Sequence, residues 1–221
     1  MMNIILKHLI KKYKVITFDI FDTLIERDII NPLDIFKIVG KEVLGREYAD
    51  FFYNARIEAE KRARNESENR EVTLDDIYNH MDRIYSINSE ALKTEEIKQE
   101  IKHCVRKDSI HELFRFAISS GCTVYLISDM YLPKEVIEKI LDKCGIKGYI
   151  KCFISNETGK NKISGGLFRV VINEEKLNKE DILHVGDSIK ADFIGARKQG
   201  ITSYLSGRKN RFRRMLMSLK R

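Results

Sequence analysis

Several residue types are scarce in this chain, and each scarcity narrows the classes of protein to which it can belong. The 221 residues include no tryptophan, two prolines and four cysteines, and no two cysteines form a Cys-x-x-Cys pair. The number and spacing of the cysteines do not favour a zinc site or a disulfide framework. They favour reduced, buried thiols in a cytoplasmic protein. Long apolar runs are also missing, since the run over residues 4–6 ends at Lys7. We therefore expect neither a secretory signal nor a membrane span there.

The charge balance is basic, and part of the excess lies at the carboxyl end. Lys and Arg total 40 against 33 Asp and Glu, and residues 208–221 form a basic tail. Such a tail can touch nucleic acid or anionic lipid, but it is also typical of a solvated terminal helix. No nucleic-acid-binding motif accompanies it, so we expect no specific nucleic-acid partner.

The order of strand and helix patterns predicts an α/β fold. Five β-branched and aromatic runs are typical of buried strands and lie at residues 15–18, 122–128, 149–155, 182–186 and 201–205. Helical patterns separate the later runs, which predicts βαβ units and a parallel, Rossmann-like sheet. Residues 30–105 show four helical patterns and no strand signal. We therefore expect a core of residues 1–29 and 106–221, interrupted by a helical-bundle insert (residues 30–105).

Polar side chains follow three of the predicted strands. In a parallel sheet the carboxyl ends of the strands share one edge, so we expect these residues to converge, together with a lysine before a later helix. Carboxylate oxygens suit Mg²⁺, whereas a lysine and a hydroxyl suit phosphate oxygens. A strand-end carboxylate can also attack phosphorus and form an aspartyl-phosphate. The residues concerned are Asp19, Ser128, Asp129, Asp187, Asp192 and Lys162.

The order of these motifs resembles the haloacid dehalogenase (HAD) superfamily, which includes many Mg²⁺-dependent phosphatases. The four matching motifs lie at residues 18–24, 126–129, 155–162 and 184–192. A helical insert directly after the first motif is similar to the C1 cap of that superfamily. The longer strings FDIFDTLIER and LISDMYLP resemble a subgroup associated with bacterial surface-polysaccharide loci.

The resemblance implies a role for each matching position. Asp19 would be the nucleophile and a Mg²⁺ ligand, and the backbone carbonyl of Phe21 would be a second ligand. Asp187 would be a further ligand, and Asp192 would either support the metal or orient Lys162. The transferred phosphoryl group would be bound by Ser128, Asp129 and Lys162.

One position departs from the pattern of the family's phosphatases. The residue two after the nucleophile is usually a second aspartate that acts as general acid and base, but here it is Phe21. Loss of such an acid can cost a factor on the order of 10²–10⁴ in rate. Asp22 is the nearest alternative and a possible acid or base, but if the backbone stays extended, adjacent side chains point to opposite faces and Asp22 need not face the substrate.

Three explanations of Phe21 remain open. The first is a substrate whose leaving group needs no acid, such as an acyl phosphate or an anhydride. Another group or a water molecule can replace the acid. Alternatively, the site is weak or retired, which leaves a binding role.

Four residues outside the motif roles also receive an interpretation. His184 lies inside an apolar strand, so we expect a structural histidine rather than a base. Arg27 and Arg56 are candidates to reach a substrate. Ser109, with a glutamate three residues later, has capping-box spacing and predicts the start of a helix.

Together these features predict a Mg²⁺-dependent phosphohydrolase that acts on a small phosphorylated metabolite through an aspartyl-phosphate at Asp19. The alternatives are a catalytically weak binding or regulatory module and a dehalogenase-type hydrolase, although dehalogenases need no Mg²⁺. A CheY-like receiver also phosphorylates a strand-end aspartate, but it has no helical insert and its acidic cluster should precede that strand. The sequence indicates neither the substrate nor the oligomeric state.

Overall fold

The computed structural model describes residues 2–85 and 89–206, so the predicted basic tail lies outside the described residues. The strands are β1 (Val15–Phe18), β2 (Ile25–Arg27), β3 (Cys104–Arg106), β4 (Thr123–Ser128), β5 (Lys151–Ile154), β6 (Ile182–Gly186) and β7 (Thr202–Leu205). The α-helices are α1 (Met2–Ile10), α2 (Ile35–Leu44), α3 (Ala49–Glu66), α4 (Leu74–Tyr85), α5 (Glu90–His103), α6 (Asp108–Ser119), α7 (Lys134–Lys143), α8 (Ser155–Thr158), α9 (Gly166–Glu174) and α10 (Gly195–Arg197). Short 3₁₀ helices cover Pro32–Asp34, Arg46–Tyr48 and Lys179–Asp181, and a π-helix covers Ile189–Ile194.

Five parallel strands form the central sheet in the order β5-β4-β1-β6-β7. This confirms the predicted α/β fold. Strand β1 lies in the middle, and its Phe18 is in register with Leu126 of β4 and Val185 of β6. The carboxyl ends of the three strands therefore meet at one edge of the sheet.

Alternation along the strands divides the core between the two faces of the sheet. Ile16 and Phe18 of β1 belong to a large core that also contains the buried residues of α1, α6 and α7. Val15 belongs to a second core with Leu167 and Phe168 of α9. Because successive strand side chains point to opposite faces, one short strand supports helices on both sides.

The helical insert is attached by a short antiparallel ribbon. Strand β2 pairs with β3, so the segments that enter and leave the insert run side by side. The prediction of no strand in residues 30–105 is therefore wrong at the end of the insert, because three-residue strands are too short to show alternation. The chain segment that connects β2 to β3 contains helices α2, α3, α4 and α5, which pack against one another.

The amino-terminal end of α6 differs from the sequence-based expectation. Helix α6 begins at Asp108 with no side-chain cap bond, so the capping box predicted at Ser109 is wrong. The glutamate of that motif, Glu112, instead forms an ion pair with Lys7 of α1 at 2.7 Å. The apolar residues of the amino-terminal run belong to this helix, which buries Leu6 and Ile10 against the core.

Candidate active site

The carboxyl edge of the sheet brings together the predicted nucleophile, the lysine and two further aspartates. Asp19 directly follows β1, and its backbone N–H donates to Val185 of β6 at 2.9 Å. The Lys162 ammonium lies 2.6 Å from Oδ1 of Asp19 and 2.6 Å from Oδ1 of Asp192. One carboxylate oxygen each from Asp19, Asp187 and Asp192 lie within 4.8 Å of one another. Residues far apart in sequence thus form one cluster.

Burial makes the charges of this cluster depend strongly on one another. Asp19 is only 5% exposed, and burial raises its pKa to about 8 despite the nearby Lys162 ammonium. Burial also disfavours the charged form of Asp192, but Lys162 and His184 hold the pKa of Asp192 below its usual range. For Asp187, burial and then the charges of Asp22 and Asp192 raise the pKa.

The chemistry of this donor set fits a divalent cation. Fully ionised, Asp19, Asp187 and Asp192 carry three negative charges against the one positive charge of Lys162, which is an excess of two. Carboxylate oxygens are the ligands that Mg²⁺ prefers, and Mg²⁺ needs only one or two protein carboxylates. A divalent cation would balance the excess charge and favour the ionised, nucleophilic form of Asp19.

Asp192 is held by contacts on both of its carboxylate oxygens. Its Oδ1 accepts hydrogen bonds from Lys162 and, at 3.1 Å, interacts with Nε2 of His184. Its Oδ2 accepts from the backbone N–H of Ser188 at 2.8 Å. The carboxylate also fills the space that a Cβ at Gly186 would need. These contacts fix Asp192 in a position that orients the Lys162 ammonium.

A π-helical turn places Asp192, which sequence reasoning treated as part of an ordinary helix. The Ser188 side chain accepts from the Ala191 N–H at 3.2 Å, and the N–H groups of Asp192 and Phe193 both donate to the Ser188 carbonyl. Single π turns are frequent at functional sites because they redirect one side chain. The small residues before this turn, including Gly186, were the feature of the sequence from which an unusual turn could have been predicted.

His184 supports the cluster from the core of the sheet. Its Nδ1 lies 2.8 Å from Oγ1 of Thr17, and its Nε2 faces Asp192. The ring is fully buried, and burial lowers its pKa. A structural histidine with both ring nitrogens occupied agrees with the interpretation of the sequence. Thr17, which sequence reasoning did not single out, completes this chain of contacts.

Asp129 positions the segment that carries Lys162. Its two carboxylate oxygens lie 2.9 and 3.1 Å from the Lys162 backbone N–H. Burial raises the pKa of Asp129 to about 6. The Asp129 carboxylate is thus occupied by the backbone N–H of Lys162. Phosphate binding by Asp129 stays a prediction, and it would have to use the backbone N–H of Asp129. Ser128 ends β4 at the same edge and is buried.

The turn after Asp19 is not extended, which changes the expectation for Asp22. Asp22 has φ +60°, in the left-handed region, and the N–H groups of Leu24 and Ile25 both donate to the Ile20 carbonyl. The argument against Asp22 held only for an extended backbone, so it does not apply here, and a role of Asp22 as acid or base stays a prediction. The half-buried Phe21 ring lies 5.1 Å from the Arg27 guanidinium.

The two arginines considered as substrate contacts serve other purposes. Arg56 is fully buried and forms a two-point ion pair with Glu96, so its prediction as a substrate contact is wrong. Arg27 forms a similar pair with Glu100 at 2.8 and 2.9 Å. The Arg27 pair joins β2 to α5, where the insert is attached to the core, whereas the Arg56 pair joins α3 to α5 within the insert.

One loop of the insert contacts the core beside the cluster. The Asn69 side-chain amide donates to the Gly159 carbonyl at 2.7 Å, three residues before Lys162. Gly159 has φ +61°, and a Cβ there would lie 2.8 Å from the Asn69 amide nitrogen. The contact therefore depends on glycine at this position. No sequence signal pointed to Asn69, since a polar loop residue has no characteristic pattern.

The fold and the cluster define an α/β protein that presents a carboxylate beside a lysine and a candidate cation site. A family model described as haloacid dehalogenase-like hydrolase matches residues 13–200, and the chain belongs to this family of hydrolases. Among curated proteins, none matches the chain. Within residues 2–85 and 89–206, no helix has the length and apolar character required to cross a membrane.

Solved structures of several hydrolases share the fold. The HAD hydrolase YfnB from Bacillus subtilis, bound to magnesium, is 17% identical, with 87% of each chain covered and a TM-score of 0.60. A HAD phosphatase from Thermococcus onnurineus is 16% identical, with 88% of this chain and 86% of that chain covered and a TM-score of 0.60. L-2-haloacid dehalogenase from Xanthobacter autotrophicus is 9% identical, with 93% and 83% covered and a TM-score of 0.63. At these identities the likeness shows the fold alone.

Proposed function

We propose that this hydrolase is a Mg²⁺-dependent phosphohydrolase that acts on a small phosphorylated metabolite. The observation that carries the proposal is the buried cluster in which Lys162 bridges Asp19 and Asp192 beside Asp187. Its charges suit the transfer of a phosphoryl group, which depends mainly on positioning and charge compensation. The magnesium-bound relative of the same fold supports the choice of metal.

Each residue of the cluster has a distinct task in this proposal. Asp19 and Asp187, with the Phe21 carbonyl, would hold Mg²⁺, which when bound supplies charge neutralisation for the phosphate oxygens. Oδ1 or Oδ2 of Asp19 attacks phosphorus and forms an aspartyl-phosphate, which water then hydrolyses. Lys162 and the Ser128 hydroxyl stabilise the transferring oxygens, and Asp192 keeps Lys162 in place.

The Phe21 ring restricts how the leaving group departs. A phenyl ring cannot donate a proton, so a leaving group that departs as a stable anion suits this site better than an alkoxide. An acyl phosphate or a phosphoanhydride has such a leaving group. Asp22, whose charge acts on Asp187, is the alternative source of a proton for an ester.

We also propose that the insert (residues 30–105) is a C1-type cap over the site. The Asn69–Gly159 contact supports this role because it joins the insert to the segment that carries Lys162. Such a cap would exclude water while the phosphoryl group moves. The strings at residues 18–27 and 126–133 support membership of the subgroup associated with bacterial polysaccharide loci.

A substrate panel tests the function. Phosphate release is measured on phosphomonoesters, acyl phosphates and anhydrides, with Mg²⁺ or with a chelator, for the native protein, Asp19→Asn and Asp22→Asn. We expect Mg²⁺-dependent release that falls at least about 10³-fold in Asp19→Asn, because loss of a nucleophile leaves only binding and electrostatics. If Asp22→Asn loses turnover of phosphomonoesters relative to the native protein but keeps turnover of acyl phosphates, Asp22 is the acid.

Two outcomes would contradict the proposal. Halide release from 2-haloacids, independent of Mg²⁺, would assign the chain to the dehalogenases. Absence of turnover on the whole panel, with Mg²⁺ binding intact, would leave a binding or regulatory role.

A further inference from the structure

Lys107 contacts the turn that follows Asp19 at two places. Its backbone N–H donates to the Leu24 carbonyl at 2.9 Å, and its ammonium donates to the Asp22 carbonyl at 2.9 Å. The side chain is half-buried and follows β3 by one residue. It thus joins the strand that returns from the insert to the turn that begins at Asp19.

The turn needs an anchor because its backbone is strained. A residue other than glycine with positive φ, such as Asp22 at +60°, adopts a backbone conformation that is less favourable than the ordinary ones. The surroundings must supply contacts that outweigh this cost. A hydrogen bond from an ammonium to a carbonyl is charge-assisted and stronger than a neutral one, and Lys107 makes such a bond at Asp22 itself.

The anchor is connected to the insert through the β2–β3 ribbon. Arg27 of β2 pairs with Glu100 of α5, and Asp28 contacts His103 through both its side chain and its backbone N–H. These contacts hold the returning strand against the entering one, and Lys107 lies at the core end of that arrangement. A displacement of the insert would therefore reach the turn through Lys107.

We propose that Lys107 is a positioning residue that fixes the turn over residues 19–25 and thereby sets the geometry of the Phe21 carbonyl, Asp22 and Asp19. The consequence for turnover rests on the proposed phosphohydrolase function, whereas the consequences for the turn and for Mg²⁺ binding do not. Lys107 acts through the backbone of the turn and not by contact with the substrate.

Lys143 provides a matched control. Its ammonium also donates to backbone carbonyls, at 2.7 Å to Ile101 and 3.1 Å to Cys104 at the start of β3. Lys143 lies at the carboxyl end of α7. The carboxyl edge of the sheet, which carries the turn after Asp19, lies at the opposite end of that helix. Lys143→Met therefore removes an ammonium–carbonyl anchor of the same ribbon without touching the turn.

The test compares the native protein with Lys107→Met, Lys107→Arg and Lys143→Met in three measurements. Hydrogen exchange of the Leu24 and Ile25 amides in metal-free protein reports the turn, Mg²⁺ titration by calorimetry reports the metal site, and kcat and KM report catalysis. We expect Lys107→Met to lose amide protection and to bind Mg²⁺ about 10-fold more weakly. We also expect kcat to fall about 10²-fold with little change in KM, because a displacement near 1 Å has this effect.

The expected controls are partial recovery in Lys107→Arg and native values for Lys143→Met. The proposal is overturned if Lys107→Met keeps native amide protection or native Mg²⁺ affinity, or if Lys143→Met shows the same losses. If the native protein hydrolyses no phosphate compound, the proposed function fails while exchange and Mg²⁺ affinity still decide the role of Lys107. Should Lys107→Met not fold, Lys107→Gln, which keeps a donor without the charge, carries the same comparison.

Discussion

The buried ion pair between Arg56 and Glu96 allows a quantitative prediction about what holds the insert together. Arg56 is 0% exposed, and its guanidinium binds both carboxylate oxygens of Glu96 at 2.7 and 2.8 Å. The Tyr78 hydroxyl donates to the same carboxylate at 2.7 Å, and the Tyr131 ring of the core lies 4.9 Å from the guanidinium. Removal of the guanidinium would leave Glu96 buried with one donor from Tyr78.

The expected cost follows from that geometry. Breaking a buried pair by removing one partner costs about 3–5 kcal/mol, because the remaining charge stays out of water. For a chain of this size, each kcal/mol lowers the melting temperature by about 2–4 °C, so we expect Arg56→Met to lose about 10 °C. The same helix offers a control, since Arg62 pairs with Glu58 at 2.7 Å on the exposed surface. Arg62→Met should cost less than about 1 kcal/mol.

Thermal and urea unfolding at neutral pH measure both variants. A third protein, Arg56→Met with Glu96→Gln, removes the stranded charge while keeping an acceptor for Tyr78, and should recover about half of the lost stability. The reasoning is refuted if Arg56→Met unfolds no earlier than Arg62→Met, or if the double variant is less stable than Arg56→Met alone.

Two further predictions concern the candidate site. Gly186→Ala should lower kcat about 10²-fold with the fold retained by circular dichroism, because its methyl group takes the place of the Asp192 carboxylate; full activity in a folded Gly186→Ala would contradict this. In metal-free protein, burial raises the pKa of Asp19 to about 8, above its usual value of about 4, so the folded chain binds the extra proton and its stability falls as pH rises from about 4 to 8. Asp19→Asn should therefore be more stable than the native protein at pH 8 and about equally stable at pH 4; a urea-unfolding difference that is the same at both pH values would contradict it.

The parallel sheet was predictable because its signal is local and repeated. The buried strands are short apolar runs followed by helical patterns, and this alternation permits few arrangements other than a parallel sheet. Convergence of Asp19, Asp187 and Lys162 then follows from the shared direction of the strands. The Lys162 ammonium lies 2.6 Å from Asp19, and a carboxylate oxygen of Asp187 lies within 4.8 Å of one of Asp19, which agrees with the geometric part of that expectation.

Other features had no local signal. Arg56 lies on a helix with many charged residues, so the sequence did not distinguish it from its exposed neighbours, and its burial depends on Glu96 forty residues away. The β2–β3 ribbon consists of two strands of three residues each, which are too short to show alternation. Both features depend on which segments the fold brings together.

The sequence by itself determined the order of the five strands of the central sheet, the class of the fold and the set of polar residues at the carboxyl edge of the sheet. Those properties follow from residue preference and periodicity, which act over a few neighbouring residues. Only the tertiary structure decided the left-handed turn at Asp22, the π-turn before Asp192 and the anchoring of the turn by Lys107. These features are held by side chains from distant segments, Lys107 at Asp22 and Lys162 at Asp192, whose contacts outweigh local preference once the chain is folded.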